Sequence, residues 1–248
     1  LGYDSFWLPE TWGYNAFPLM TEMARETRRI RLGTGILNVF SRTPALLAMS
    51  AATMQEISGG RFLLGIGTSG IHVVEGFHGR AYDKPLTQVL DTIRIVRGLL
   101  EGRSLHECGA KLGSYRPFKL AAGLGQPRVP IYVASLNERA VRKTGALADG
   151  WLPSFWPYED LQRGRSWLME GAVEAGRDPS ELDVGLFTVA IPARLQRAED
   201  MARDAVAFYV GGMGTYYRDL LSASGFGDEC EEIARLYGDK TTRRRAGK

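Results

Sequence analysis

This sequence predicts a parallel α/β fold, an eight-stranded β/α barrel in preference to an open doubly wound sheet, and three observations carry that prediction. Short apolar runs alternate with amphipathic helical stretches, the pattern of strands covered on both faces. Residues 31–70 read as strand, helix and strand, one complete parallel crossover. Small or polar residues follow several strands rather than one (Glu10, Asn38, Thr68-Ser69, Ala134-Ser135), and the carboxyl ends of parallel strands are where such folds bind ligands.

Each element has a local reason. Residues 5–8 form a short aromatic strand. Residues 17–28 place Phe17, Met20, Met23 and Ala24 on one face and end in a basic turn, as a helix C-terminus favours. Residues 32–37 are apolar around two glycines and read as a buried strand. Thr43-Pro44 opens a helix as N-cap and first residue, Leu46, Leu47, Met49, Ala51, Met54 and Ile57 continue it, and Gly59-Gly60 stops it. Residues 61–66 are a second buried strand. Residues 71–83 read as a loop, 87–100 as a helix and 101–128 as an irregular insertion with room for a small hairpin. Residues 129–135 are a strand, and Asn137 caps the helix after it. A short strand at 149–152, a helix at 158–176, a strand at 182–191, helices at 199–209 and 216–224 separated by glycines, and a last helix from about 228 complete the chain. Six strands and no internal repeat are visible. The chain opens on Leu1 without Met, so earlier residues are expected to precede it, and an eighth strand would lie beyond Lys248.

Composition sets further bounds. An apolar content of 44% over 248 residues supports a full core in one domain, 1–248. A net charge of +3 is too small and dispersed for nucleic acid. The basic run Arg243-Arg244-Arg245 reads as a solvated tail. Cys108 and Cys230 have no metal-ligand spacing, so reduced thiols in a cytoplasmic protein are expected. No apolar run reaches membrane-spanning length and no signal peptide pattern is present. The metal-binding HExxH pattern, the GxSxG elbow and the full GxGxxG fingerprint are all lacking, so neither a metal centre nor a nicotinamide Rossmann site is expected.

What remains is a set of strand-end loops rich in backbone amides. Thr68-Ser69-Gly70 and Ala134-Ser135, the second leading into a helix N-terminus, suit a phosphorylated cofactor, although either loop taken singly also reads as a tight turn. Glu10 is a candidate general acid or base, with an exposed loop acid as the alternative. His78 is a candidate proton shuttle, with a structural loop histidine as the alternative. Phe6, Trp7, Trp12, Phe155 and Trp156 could wall a flat ring system or serve in the core.

Several of these stretches together resemble the luciferase-like flavin and deazaflavin oxidoreductases, in the branch that uses coenzyme F420. The matching text is FWLPETWG, IRLGTGILNVFSRTPALLAMSAATMQEISGGRFLLGIGTSG, VVEGFHG, VPIYVAS, ALADGWLPSF, FYVGGMGTYY and GFGDE. The resemblance implies a TIM barrel, (β/α)8, with an insertion, in which residues 5–8 are the second strand and the first strand-helix unit and last strand lie outside this chain. It implies a non-proline cis peptide at Gly35–Ile36 in a bulge under the coenzyme ring, with Asn38 nearby. Thr68, Ser69, Gly70, Ala134 and Ser135 would then hold the phosphate side. Glu10 stands near the reacting ring carbon, where some relatives carry an Asp-His pair that Glu10-Thr11 does not reproduce. The implied activity is hydride transfer between F420 and a small organic substrate in a homodimer. Two other readings are an FMN-dependent monooxygenase, which would need a flavin reductase as partner, and a non-catalytic cofactor-binding barrel.

Overall fold

A computed structural model describes residues 2–109, 116–122, 125 and 127–238. Seven strands lie among them: β1 (Ser5–Leu8), β2 (Arg31–Thr34), β3 (Leu37–Asn38), β4 (Phe62–Gly67), β5 (Ile131–Val133), β6 (Gly150–Trp151) and β7 (Asp183–Val184). Every pairing is parallel. The order is β1-β2-β4-β5-β6-β7, with β3 pairing β4. The path does not return from β7 to β1 among the described residues, so the sheet is a half-barrel. Nine helices accompany it: α1 (Ala16–Glu26), α2 (Pro44–Ile57), α3 (Ile71–Gly76), α4 (Pro85–Leu100), α5 (Glu138–Leu147), α6 (Leu161–Glu174), α7 (Ala198–Gly212), α8 (Tyr216–Ala223) and α9 (Gly227–Gly238).

The helix starts follow their caps. Thr43 accepts from the Leu46 amide and Pro44 is the first residue of α2. Asn137 accepts from the Ala140 amide at α5, and Asn15 accepts from the Phe17 amide at α1. Gly59 and Gly60, both at positive φ, end α2, where no residue with a Cβ is comfortable.

The expected strand at 32–37 is two strands. Between β2 and β3 the register against β4 shifts by one residue, from Gly33 opposite Leu63 to Leu37 opposite Ile66. That is a β-bulge, and the Gly35–Ile36 peptide inside it is cis. Thr34 bridges the gap: its hydroxyl donates to the Gly65 carbonyl and accepts from the Gly65 amide, both at 2.8 Å.

Aromatic rings and glycines alternate on the inner face. Trp7 is the register partner of Gly33 and Tyr132 that of Gly150. A Cβ on either glycine would run into the opposing ring. Trp7 and Tyr132 meet edge to face at 5.0 Å and pack with Leu63, Leu152 and Ile36. The larger core lies between sheet and helices and includes Met20, Leu47, Phe62, Leu64, Ile93 and Ile131. Gln55, buried in α2, accepts from the Phe62 amide and donates to the Pro127 carbonyl, tying α2 to the start of β4 and to the segment before β5.

Other differences are local. Residues 71–83 contain α3 rather than only loop, because Gly70 accepts from the Val73 and Val74 amides and starts a turn. The strand expected at 182–191 is confined to β7, with one further bridge between Ser154 and Phe187. Residues 158–160 are a 3-10 turn before α6, and Gly211-Gly212 continue α7. Leu46, Met49 and Ile57 lie on the exposed side of α2, while Leu47, Ala51 and Met54 are its buried face. The insertion holds a 3-10 turn at Leu105–Cys108 with a Ser104–Glu107 capping box; the hairpin expected there falls partly, and Arg243–Arg245 wholly, outside the described residues. Both cysteines are free and buried. No described helix is long and apolar enough to cross a membrane.

Arg61 closes the lower end of the crossover. Its guanidinium donates to the carbonyls of Ser58, Ile30, Ala24 and Thr27 at 2.7–3.0 Å and to the Thr27 hydroxyl at 3.0 Å, gathering acceptors left over at the end of α1. Arg61→Ala is expected to lower stability by roughly 2–4 kcal/mol, because several half-buried carbonyls lose a charged donor at once. Arg61→Lys, without the fork, should recover less than half of that in urea denaturation.

Candidate functional site at the carboxyl ends of the strands

The loops leaving the strands converge on a pocket of about 600 Å³. Its floor and near walls come from Gly35 and Ile36 in the bulge, Gly67 to Gly70 after β4, Val133 to Asn137 after β5, and Leu152 and Ser154 after β6. Pro9 to Trp12 after β1 form one side. Phe208, Tyr209, Met213, Tyr216 and Tyr217, from α7, α8 and the turn between them, cover the top. The structure therefore brings together Glu10, Gly35, Ile36, Thr68, Ser69, Gly70, Ala134 and Ser135.

Two expected residues stand elsewhere. His78 follows α3, its amide bonded to the Val73 carbonyl at 3.1 Å and its ring edge-on to Phe77 at 5.0 Å, and it is not among the pocket walls. Asn38 is not among the pocket walls either. It is buried at the end of β3, its side-chain carbonyl accepts from the Phe40 amide at 2.8 Å, and its side-chain nitrogen has no partner among the described residues. Of the five aromatics, only Trp12 lines the pocket. Trp7 fills the barrel interior, and Trp156 packs on Trp151 at 4.9 Å.

Glu10 lines the pocket, but its carboxylate is engaged. Arg42 grips both oxygens in a fork, with the second contact at 2.9 Å, and the Ala16 amide donates to the same carboxylate at 2.8 Å. Arg42 also lies over the Phe17 ring at 5.4 Å. Both charged side chains are 12% exposed. This fork pins the loop after β1 to the segment after β3 and to the start of α1.

At the opposite side, α5 points its first turn at the pocket. The Asn137 cap takes the Ala140 amide, and the Glu138 and Arg139 amides have no acceptor within the helix. Ser135 is held rigidly: its hydroxyl pairs with that of Thr144 at 3.0 Å and its carbonyl accepts from the Trp151 indole at 2.9 Å. Arg139 lines this end; the sequence reading passed over it as one more charge on a helix, although its place two residues after a capping Asn at a strand end was the available signal. Packing is tight at Gly67 and tighter at Gly70. A Cβ on Gly67 would press on Ile36 and Ala134 at 3.2 and 3.3 Å, and one on Gly70 on the Met213 carbonyl at 2.9 Å.

The top is phenolic. Burial pushes Tyr209 above its ordinary value and Tyr217 up to about 12. Tyr82, behind the wall, is raised by burial as well, and its hydroxyl meets that of Tyr216 at 3.0 Å. Tyr82, Tyr209 and Tyr217 stay neutral hydrogen-bond donors at physiological pH.

Three comparisons bear on this site. The sequence model of the luciferase-like monooxygenases matches residues 1–248. A protein of Mycobacterium tuberculosis named as a coenzyme F420-dependent oxidoreductase is 29% identical over 95% of this chain and 73% of its own length. The 5,10-methylenetetrahydromethanopterin reductase of Methanolobus tindarius is 31% identical over 85% of this chain. This chain thus spans 64% to 73% of the length of these two relatives. Among solved structures, the F420-dependent tetrahydromethanopterin reductase of Methanopyrus kandleri superposes with a TM-score of 0.78 over 99% of this chain and 75% of that one, at 24% identity. An F420-dependent secondary alcohol dehydrogenase superposes with a TM-score of 0.74 at 20% identity, covering 95% of this chain and 73% of that one. These likenesses establish the fold.

Two outcomes follow from the geometry. Arg42→Ala is expected to cost about 2–4 kcal/mol in denaturant unfolding, since it leaves the Glu10 carboxylate with little solvent and no cation. For Tyr217, the folded value of about 12 lies above the ordinary 10, so the folded chain keeps a proton that the unfolded chain gives up. Its contribution is complete below pH 10 and is lost as pH rises through about 12. Tyr217→Phe should make the melting temperature less steeply dependent on pH across that window.

Proposed function

The chain belongs to the luciferase-like monooxygenase family, and from that premise we propose that it is an oxidoreductase using coenzyme F420 to exchange a hydride with a small organic substrate. The observation that carries this reading is the two-ended pocket: an apolar floor at Ile36, Val133 and Leu152, and an anion-seeking end built from the α5 first turn and Arg139. A flat ring with a phosphate-bearing tail fits those two ends. The relatives named for F420 support the choice of ring.

In this reading Arg139, Ser135, Ala134 and the Thr68-Ser69-Gly70 loop hold the phosphate side, and Gly35 and Ile36 support the ring. The deazaflavin, when bound, supplies the hydride chemistry. The protein orients the two reactants and keeps water out. Glu10 is a positioning residue: with its oxygens committed to Arg42 and Ala16, it fixes the loop that carries Trp12. His78 has no proton role here. The reading includes a homodimer, and the uncovered Leu46, Met49 and Ile57 of α2 support it.

Spectroscopic titration tests the coenzyme. F420 is expected to bind at micromolar or better and at least tenfold more tightly than FMN; tighter binding of FMN would transfer the site to the monooxygenase reading. Arg139→Ala should weaken F420 by about tenfold or more, from the loss of a charge-assisted contact. The same variant should bind a phosphate-free deazaflavin as the parent does.

A further inference from the structure

We infer that the substrate taken by this site is an uncharged, ring-shaped compound with a single carbonyl-type acceptor, seated against the aromatic surface of α7 and α8. The inference rests on the coenzyme reading for which end of the pocket remains open to substrate.

Charge is the first argument. Of the residues that line the pocket, Glu10 and Arg139 alone are charged. Glu10 is balanced by Arg42, and Arg139 stands at the α5 end, where the coenzyme's anionic tail is placed. No lining cation remains under α7 and α8. A carboxylate or phosphate brought there would be stripped of water without a partner, a cost that charged groups in apolar surroundings do not recover.

Shape is the second. Rings run in an unbroken series across this end. Trp12 meets Phe208 at 6.1 Å, Phe208 meets Tyr209 at 5.4 Å, and Tyr209 meets Phe155 at 4.0 Å and Tyr217 at 4.9 Å. The series joins the loop after β1 to the segment after β6 through two helices distant in sequence. Phe155 backs Tyr209 rather than lining the pocket, at a φ of 54° that bulky residues rarely adopt. Such a surface offers ring faces and edges to another ring.

Hydrogen bonding is the third. The side-chain polar atoms here are the hydroxyls of Tyr209, Tyr216, Tyr217 and Ser154, and half-buried hydroxyls donate to one neutral oxygen without attracting an ion. A site built this way rejects ligands lacking the acceptor as well as ligands bearing a charge.

The test uses two probes of one shape, acetophenone and 4-acetylbenzoate, titrated by calorimetry into the F420-loaded protein. Acetophenone is expected to bind at least tenfold more tightly. Tyr209→Ala should weaken it fivefold or more while F420 affinity stays within twofold, and Trp12→Ala serves if that variant does not fold. Equal or tighter binding of 4-acetylbenzoate overturns the inference, as does failure of acetophenone to bind a protein that has taken up F420. Failure of F420 itself overturns only the coenzyme reading. The same pair is then compared in Arg139→Ala without coenzyme, by quenching of tryptophan fluorescence, where preference for the neutral ring upholds the inference and its absence overturns it.

Discussion

The pocket depends on how closely Thr34 approaches Gly65. A parallel ladder would carry β2 straight on, with each side chain alternating in turn. Instead β4 advances three residues, Leu63 to Ile66, while the facing chain spends four, Gly33 to Leu37. The extra residue leaves groups of Gly65 without ladder partners, and the Thr34 hydroxyl, buried, serves both as donor and as acceptor to them. Nothing larger than glycine fits at 65, because a Cβ there would overlap the Thr34 carbonyl. The result is that Ile36 stands among the pocket walls, beside Gly67 and Ala134. A valine at 34 has the same outline and no hydroxyl, so the bulge would bury an unpaired amide and carbonyl. One hydroxyl thereby links a sequence position inside a strand to the shape of the ligand-binding end.

Much of this was legible in the residues. Caps gave two helix starts, since Thr43-Pro44 and Asn137 each act through a bond that spans three positions, whereas the Asn15 cap of α1 was not read. Buried strands were legible as apolar runs. The bulge was not: an apolar stretch with two glycines has the same pattern whether or not its register slips, and only the family resemblance pointed to Gly35–Ile36. The fork between Arg42 and Glu10 was invisible because its partners are 32 positions apart and no local signal pairs them. That is why Glu10 read as a free acid. The place of His78 was not legible either, since the six residues of α3 before it leave little periodicity to read. The aromatic cover was present in the text FYVGGMGTYY, but which strand ends it would cover is a tertiary fact.

The site's polarity comes chiefly from backbone. Apart from Arg139, the anion-seeking end consists of small side chains and amides, and those amides are aligned by a helix whose cap and interior are fixed independently of any ligand. The Asn137 cap, the Ser135–Thr144 hydroxyl pair and the Trp151 indole all hold the same turn. Preorganisation of this kind reduces the ordering that binding must impose. Glu10 and Arg42 do the same for the loop after β1, with a net charge of zero. A balanced pair can border a redox ring without setting a local field that favours one charge state strongly over another, whereas an unpaired carboxylate could not.

The inner face decides at what depth a ligand can sit. Trp7 opposite Gly33 and Tyr132 opposite Gly150 fill the interior, each ring occupying the volume its glycine partner vacates. Native packing density leaves no room for a ring system below that layer, so binding is confined to the mouth. Above it, two sets of residues act on different ligands. The strand-end loops and α5 are parts of the barrel, anchored by the ladder itself. The aromatic cover comes from α7 and α8, which reach the mouth from the far end of the sequence and meet the barrel through Met213 on Gly70 and Phe155 on Tyr209. Substitution in α7 or α8 can therefore alter what sits under the cover without moving the amides at the strand ends. A fold divided in this way allows one ligand to be kept while a second changes, because the two surfaces share a cavity but not a scaffold.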